Sequence, residues 1–157
     1  MPPSAIERFS ARAADLGVTV ECRDFPEGTR TAVDAARAVG CDVGQIVKSL
    51  VFCAEGTPVL VLTSGANRVD EQRLAAHLEL ARVDKANADD VRRATGFAIG
   101  GTPPFGHDTP LRILCDRDLT GHDQVWAAAG TPRSVFPIAP EQLLEVTGAE
   151  VVDIGQR

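Results

Sequence analysis

The chain has 157 residues with 44% hydrophobic and 24% charged side chains, an ordinary globular balance, and no apolar run approaches the ~18 residues that a membrane span needs. A net charge of −6 argues against coating DNA or RNA through clustered Lys and Arg, and six Phe, one Trp and no Tyr leave no aromatic platform for stacking single strands. The length fits a single domain over residues 1–157, and an N-terminus without the basic start and apolar centre of an export signal makes the cytoplasm the expected compartment.

Ser4 and Glu7 have capping-box spacing, and Ile6, Phe9, Ala13 and Leu16 form one helical stripe that Gly17 ends. Residues 18–22 read as a short strand and 25–28, Phe-Pro-Glu-Gly, as a turn. Residues 31–39 form a second helix with Ala32, Ala35, Ala36 and Val39 on its buried face, stopped by Gly40. Residues 45–53 and 58–63 are two strands joined at Glu55-Gly56-Thr57, a β-hairpin. Asp70 caps a third helix, with Val69 placed to staple against Leu74, and Leu74, Ala75 and Leu78 facing inward.

Residues 80–83 are a weak strand, and Asn87 caps a helix over 88–95 that Gly96 ends. Residues 97–99 are strand-like and lead into a Gly/Pro loop. Further strands follow at 111–115, 124–128 and 134–138, the last with Pro137 at an edge or bulge. Pro140 opens a helix to Val146, and 151–154 is a last strand. Seven or eight strands with four or five short helices, one of the strand pairs a hairpin, predict an α/β (α+β) fold. Its sheet is mixed and largely antiparallel rather than doubly wound.

Lys48 is the most informative residue. Its strand shows Ile46, Lys48, Leu50 and Phe52 on one face and Val47, Ser49, Val51 and Cys53 on the other, so both faces are covered. A charge there either snorkels to an edge or opens into a working cleft. The second feature is Gly100-Gly101-Thr102-Pro103-Pro104-Phe105-Gly106-His107. Such a stiff segment is either a tight turn or a nest of backbone N–H groups for an oxyanion or phosphate. His107 could act as a general base or as a structural hydrogen-bonder; His77 and His122 have no clear partner. Arg68, in Ser64-Gly65-Ala66-Asn67-Arg68, could bind an anion or lie in a solvated turn, and the polar residues Glu27, Arg30 and Thr31 precede a helix start. Cys22, Cys41, Cys53 and Cys115 form no CxxC pair and no zinc-spaced cluster, which leaves them as small hydrophobes.

Together these features resemble the YbaK and prolyl-tRNA-synthetase editing-domain family of aminoacyl-tRNA deacylases. The resemblance runs through Thr31-Ala32-Val33-Asp34-Ala35-Ala36, the lysine strand Gln45-Ile46-Val47-Lys48-Ser49-Leu50-Val51-Phe52, and Asn67-Arg68-Val69-Asp70. It continues through Thr95-Gly96-Phe97, the glycine-proline loop to His107, Cys115-Asp116-Arg117-Asp118-Leu119 and Ala129-Gly130-Thr131-Pro132, covering roughly residues 20–154 in order. It implies a mostly antiparallel, barrel-like sheet with flanking helices. It also implies hydrolysis of the ester joining a wrong amino acid to the terminal adenosine of tRNA, without metal or organic cofactor.

By similarity, amides around Gly100, Gly101 and Thr102 would stabilise the tetrahedral oxyanion, and Lys48 would anchor the terminal phosphate or 3′ end and orient the ester. Thr31, Pro104, Gly106, His107, Arg68 and Asp116 are the substrate-binding candidates. Gly101→Ala should hurt by crowding the substrate and restricting the loop backbone. The implied partners are the aminoacylated tRNA 3′ end and prolyl-tRNA synthetase, with no membrane. The implied amino acid is Cys, Ala or a related small one on tRNA(Pro). Arg30, Arg68, Arg92, Arg93, Arg112 and Arg133 are tRNA contacts by residue type. A non-catalytic binding module on the same cleft, a synthetase-associated adaptor and a cysteine-based redox or metal protein are the competing readings. A deacylation assay, a pull-down and a metal analysis separate them.

Overall fold

The computed structural model describes residues 2–29 and 31–156. Its helices are α1 (Ala5–Asp15), α2 (Ala32–Val39), α3 (Glu71–His77), α4 (Ala88–Thr95) and α5 (Pro140–Thr147). Its strands are β1 (Arg23–Asp24), β2 (Ile46–Ala54), β3 (Thr57–Ser64), β4 (Asp84–Lys85), β5 (Arg112–Asp116), β6 (Val125–Ala128), β7 (Ser134–Ile138) and β8 (Glu150–Val152). Local chemistry sets the helix ends. Ser4, Thr31, Asp70 and Asn87 each accept a backbone N–H of the first turn, and Gly40, Gly96 and Gly148 close α2, α4 and α5 in the left-handed region. Pro140 occupies the first turn of α5 as expected.

All eight strands join one mixed sheet in the order β1-β7-β6-β2-β3-β5-β8, with β4 added to β2. The β2–β3 hairpin is antiparallel along its whole length. β1–β7, β2–β4 and β6–β7 are also antiparallel. β2–β6, β3–β5 and β5–β8 are parallel, because long connections carry the chain back before it pairs. β1 stops at Val135, so Pro137 has no strand on its outer side, the edge position that a missing N–H requires.

Strand alternation divides the core. On one face Val47, Val51, Leu60, Leu62, Val125, Ala127, Phe136 and Ile138 pack with α1, α4 and α5 around Phe9, Phe97, Phe105 and Leu143. The rings of Phe9, Phe105 and Phe136 lie 5.0–5.8 Å apart. On the other face there are two separate clusters. Ile46, Trp126 and Val135 pack under Ala35 and Ala36 of α2, and Phe52, Val59 and Val61 pack under Leu74 and Ala75 of α3. Val69 joins the α3 cluster with Leu74, as a hydrophobic staple would place it.

Three expected strands differ. Residues 18–22 alternate in burial and send Val18, Val20 and Cys22 into the large cluster, but they pair with no strand among the described residues. The pairing begins later, at Arg23 opposite Val135. Residues 80–83 are not a strand. The Leu80 N–H closes α3 on the Ala75 carbonyl at 2.9 Å, and pairing starts at Asp84, where β2 has a free edge. Residues 97–99 form a turn held by the Thr95 hydroxyl, which accepts the Phe97 N–H at 3.1 Å. Leu16, expected on the buried stripe of α1, is 52% exposed, while Phe9 and Ala13 are the residues of that helix that are fully buried.

Phe9 carries much of the attachment of α1. Phe9→Ala should lower the unfolding free energy by about 3–5 kcal/mol in denaturant titration, the usual cost of emptying a buried aromatic site. A loss below 1 kcal/mol would show that α1 is not docked as described.

Candidate functional site

β2 has one edge filled by β3. Its other edge pairs with β6 at Ile46 and Val47 and with β4 at Phe52 and Cys53. Between these contacts the edge is open, and on the helix-covered face the α2 and α3 clusters leave a gap at the same height. Lys48 stands in that gap. It is only partly buried and lines a cleft, which is why a charge is tolerated on an otherwise apolar strand.

The Lys48 ammonium donates to the Asn67 carbonyl at 2.6 Å. Asn67 is itself fixed. Its Nδ2 donates to Asp116 Oδ2 at 2.9 Å and to Asp118 Oδ2 at 2.7 Å. Asp116 is 2% exposed and also accepts the Ser64 and Asp118 N–H groups, each at 3.0 Å. Partial burial lowers the Lys48 pKa, repulsion from Arg68 and Lys85 adds to the effect, and Asp116 opposes it.

Lys48 lines a cleft of about 490 Å³ together with Thr31, Gly65, Lys85, Gly100 and Thr102. Its walls are apolar, including Ile46, Leu50, Trp126 and Ala128, and its rim carries Val33 and Ile99, which are 54% and 49% exposed. No His, Cys, Asp or Glu is among the described lining residues. The Thr31 hydroxyl caps α2 by accepting the Asp34 N–H at 3.0 Å, which leaves its own O–H free to donate. A larger hollow of about 590 Å³, beside residues 25–28 and α2, contains neither lysine nor glycine-loop atoms.

The loop is arranged differently from the expected nest. The Gly101 N–H donates to the Ala98 carbonyl at 3.0 Å, and so does the Thr102 hydroxyl at 3.1 Å. The Gly100 and Thr102 N–H groups have no partner among the described residues. Gly100 has φ +85°, a conformation open to glycine. Gly101 is needed for a different reason. A Cβ there would sit 2.7 Å from the Thr131 backbone and 2.9 Å from the Pro132 nitrogen. The crowding therefore comes from the 131–132 segment rather than from a substrate.

The far end of the loop faces elsewhere. Gly106 and His107 line a separate hollow of about 570 Å³ with Arg12 and Asp108, and Pro104 is buried. His107 Nε2 donates to the Pro103 carbonyl at 2.7 Å, tying the loop to itself. α1 clamps the same segment. Arg12 meets the Gly106 carbonyl at 2.9 Å and Asp108 at 2.6 Å, while Arg8 donates to the Gly96 carbonyl at 3.0 Å and lies over the Phe97 ring. Lys48, Thr31, Gly100 and Thr102 thus share one cleft, with Gly101 behind it and Arg68 near Lys48. Asp116 lies beneath as a support, and Gly106 and His107 are turned away.

Sequence reading missed Lys85 and the Asn67 carbonyl. A main-chain acceptor leaves no residue signature, whereas Lys85 could have been found by composition, since the chain has two lysines. Of the arginines named by type, Arg93 pairs with Asp90 and Arg112 with Glu150, and Arg30 lies outside the described residues. The cysteines suit packing. Burial raises all four thiols, Cys115 to about 12 with help from Asp116, which disfavours the reactive thiolate. Among the described residues no three His, Cys, Asp or Glu side chains are grouped to hold a metal ion, and no helix is long and apolar enough to cross a membrane.

Comparison with known proteins adds independent evidence. The family model of the aminoacyl-tRNA editing domain matches residues 26–146. The proline–tRNA ligase of Elusimicrobium minutum (strain Pei191) is 34% identical over 117 residues, 73% of this chain and 20% of the ligase. The chain therefore spans a fifth or less of such ligases. The Bacillus subtilis (strain 168) protein YwhH is 27% identical over 129 residues, 82% of each chain. The crystal structure of a candidate trans-editing enzyme for prolyl tRNA synthetase is 43% identical and superposes with TM-score 0.94 over 100% of both chains.

Two measurements check this geometry. Gly101→Ala should destabilise by about 1–3 kcal/mol, as overpacking against backbone does, with no ligand present; an unchanged melting temperature would contradict the contact with residues 131–132. Burial, and secondarily Arg12, lowers the His107 pKa from 6.5, against the Pro103 hydrogen bond and Asp108. Its stability contribution is then full above about pH 6.5 and is lost as pH falls through the lowered folded value. The melting temperature of His107→Gln should therefore decline less between pH 7 and pH 5 than that of the wild type. Equal slopes would exclude His107 from the acid response.

Proposed function

This chain belongs to the aminoacyl-tRNA editing domain family, and from that premise we propose that it is a trans-acting deacylase. It hydrolyses the ester of mischarged tRNA, with tRNA(Pro) carrying Cys, Ala or a related small amino acid as the substrate class. The observation that carries the proposal is the cleft itself. It joins a half-buried ammonium and backbone N–H groups unpaired among the described residues with apolar walls that carry no described His or carboxylate.

Those parts suit an ester that is already activated. The substrate's 3′ end enters past Val33 and Ile99, and the small side chain rests against the apolar walls. Lys48, its position set by the Asn67 carbonyl, interacts with the terminal ribose end and orients the ester. A water attacks the carbonyl carbon, and the Gly100 and Thr102 N–H groups donate to the oxygen as negative charge develops. The C–O bond to the ribose then breaks, freeing the amino acid and a ribose hydroxyl. No His or carboxylate is among the described lining residues, and the attacking water's proton passes to solvent or to a hydroxyl of the substrate. Asp116 acts beneath the cleft, by holding Asn67. The ligases that contain a related segment make prolyl-tRNA synthetase the natural partner of this reading.

The test is deacylation of tRNA(Pro) carrying Cys, Ala or Pro, and of tRNAs carrying Ser or Thr. Wild type should release one amino acid selectively, and Lys48→Ala should lose at least 10²-fold in rate, the scale set by removal of a transition-state donor. Lys48→Met should equal or exceed the wild type in melting temperature, because it keeps the stem and removes the half-buried charge. Full activity in a folded Lys48→Ala protein would overturn the assignment. Absence of release from every tRNA, with prolyl-tRNA synthetase added, would favour a non-catalytic binding module.

A further inference from the structure

Of the 16 Lys and Arg residues in the chain, only Lys48 and Lys85 are lysine. Both line the same cleft. The 22 Asp and Glu residues outnumber the cations, yet none is among the described residues lining it. The cleft is therefore a positive spot on an acidic protein, lined by both lysines of the chain, with Arg68 near Lys48.

Lys85 is placed there by β4. That two-residue strand pairs with β2 so that Lys85 lies opposite Phe52, and the Ala86 N–H donates to the Val51 carbonyl at 3.0 Å. Directly opposed residues share a face, as do residues an even number apart on one strand, so Lys85 and Lys48 lie on the same face of the sheet. Four residues of strand separate their levels, about 13 Å at the usual rise. Two ammonium groups so spaced serve different parts of one ligand. Lys85 is exposed, and its ammonium makes no hydrogen bond or ion pair among the described residues. Its neighbour Asp84 is engaged by Arg82 through two contacts of 2.9 Å, so it does not neutralise Lys85.

We propose that Lys85 binds the backbone phosphodiester leading into the terminal nucleoside of the substrate RNA, leaving Lys48 to the ester. The inference rests on the reading of the cleft as the site for an aminoacylated RNA 3′ end. A lysine suits this task because a point charge with three rotatable donors can follow a phosphate on a mobile single strand. The contact anchors substrate and adds nothing to the bond-breaking step, so its loss falls on KM.

The experiment compares wild type, Lys85→Gln and Lys85→Arg on charged tRNA and on the same amino acid esterified to adenosine, which has no phosphate. On tRNA, Lys85→Gln should raise KM about tenfold, the scale of one charged hydrogen bond, with kcat retained. The dependence of log kcat/KM on log salt should become shallower by about one. Lys85→Arg should recover most of the loss, and on the adenosine ester all three proteins should have the same KM. An equal rise in KM on the adenosine ester, or an unchanged KM and salt slope on tRNA, would overturn the inference. If the wild type hydrolyses neither ester, the deacylase reading fails on its own. A binding titration of the same proteins with a CCA trinucleotide and with adenosine then decides: Lys85→Gln weakening the trinucleotide alone supports the phosphate contact, and no selective weakening overturns it.

Discussion

The bond from the Lys48 ammonium to the Asn67 carbonyl is the contact on which the geometry of the cleft depends. A lysine on a strand flanked by apolar clusters would otherwise bend toward solvent, taking its charge away from the cleft. Here the carbonyl is held because the Asn67 side chain is gripped by two carboxylates, one of them buried and itself filled with backbone donors. The 64–67 turn is also tied down at Gly65, whose N–H meets the Ile46 carbonyl at 2.7 Å. Three strands and one turn thus converge on the position of a single nitrogen. Half-burial destabilises its charge, so the arrangement favours a negative or strongly polar ligand that neutralises it.

The loop on the other side of the cleft is rigid for separate reasons. Phe97 and Phe105 anchor it at either end in the large core, and Arg8 and Arg12 of α1 hold its carbonyls from outside. Its glycines divide the work. Gly100 supplies a backbone angle, while Gly101 supplies the absence of a side chain where the 131–132 segment passes. α1 lies before the segment that matches the family, so this support comes from a part of the chain that the shared pattern does not include.

Features encoded locally were legible in the sequence. Helix caps at Ser4, Asp70 and Asn87 and stops at Gly40 and Gly96 depend on neighbours three or four residues away, and the structure has each of them. The β2–β3 hairpin was legible for the same reason, since its turn and its alternation lie in one short stretch. What failed was strand formation at 18–22, 80–83 and 97–99, where apolar pattern reports burial but pairing requires a partner edge that sequence does not display. In the cleft, Lys48 was readable because a charge on a doubly apolar strand is a local contradiction. The support from Asn67 and Asp116 was not, since it passes through a main-chain oxygen and across strands distant in sequence. His107 follows the loop in sequence yet turns to the opposite side, because the two prolines and Phe105 carry the backbone through the core between them.

The break in pairing along β2 has a consequence for the protein in a crowded solution. Between Val47 and Val51 one edge of a central, apolar strand has no paired neighbour among the described residues, and such an edge is a template for another chain's strand. The gap is short, and an ammonium group stands at each end of it. Charges beside an open edge make the approach of a second apolar strand costly, while a charged, flexible polymer of the opposite sign is admitted. The two lysines therefore act as gatekeepers against aggregation at the one place where the sheet must stay incomplete to leave room for a cleft.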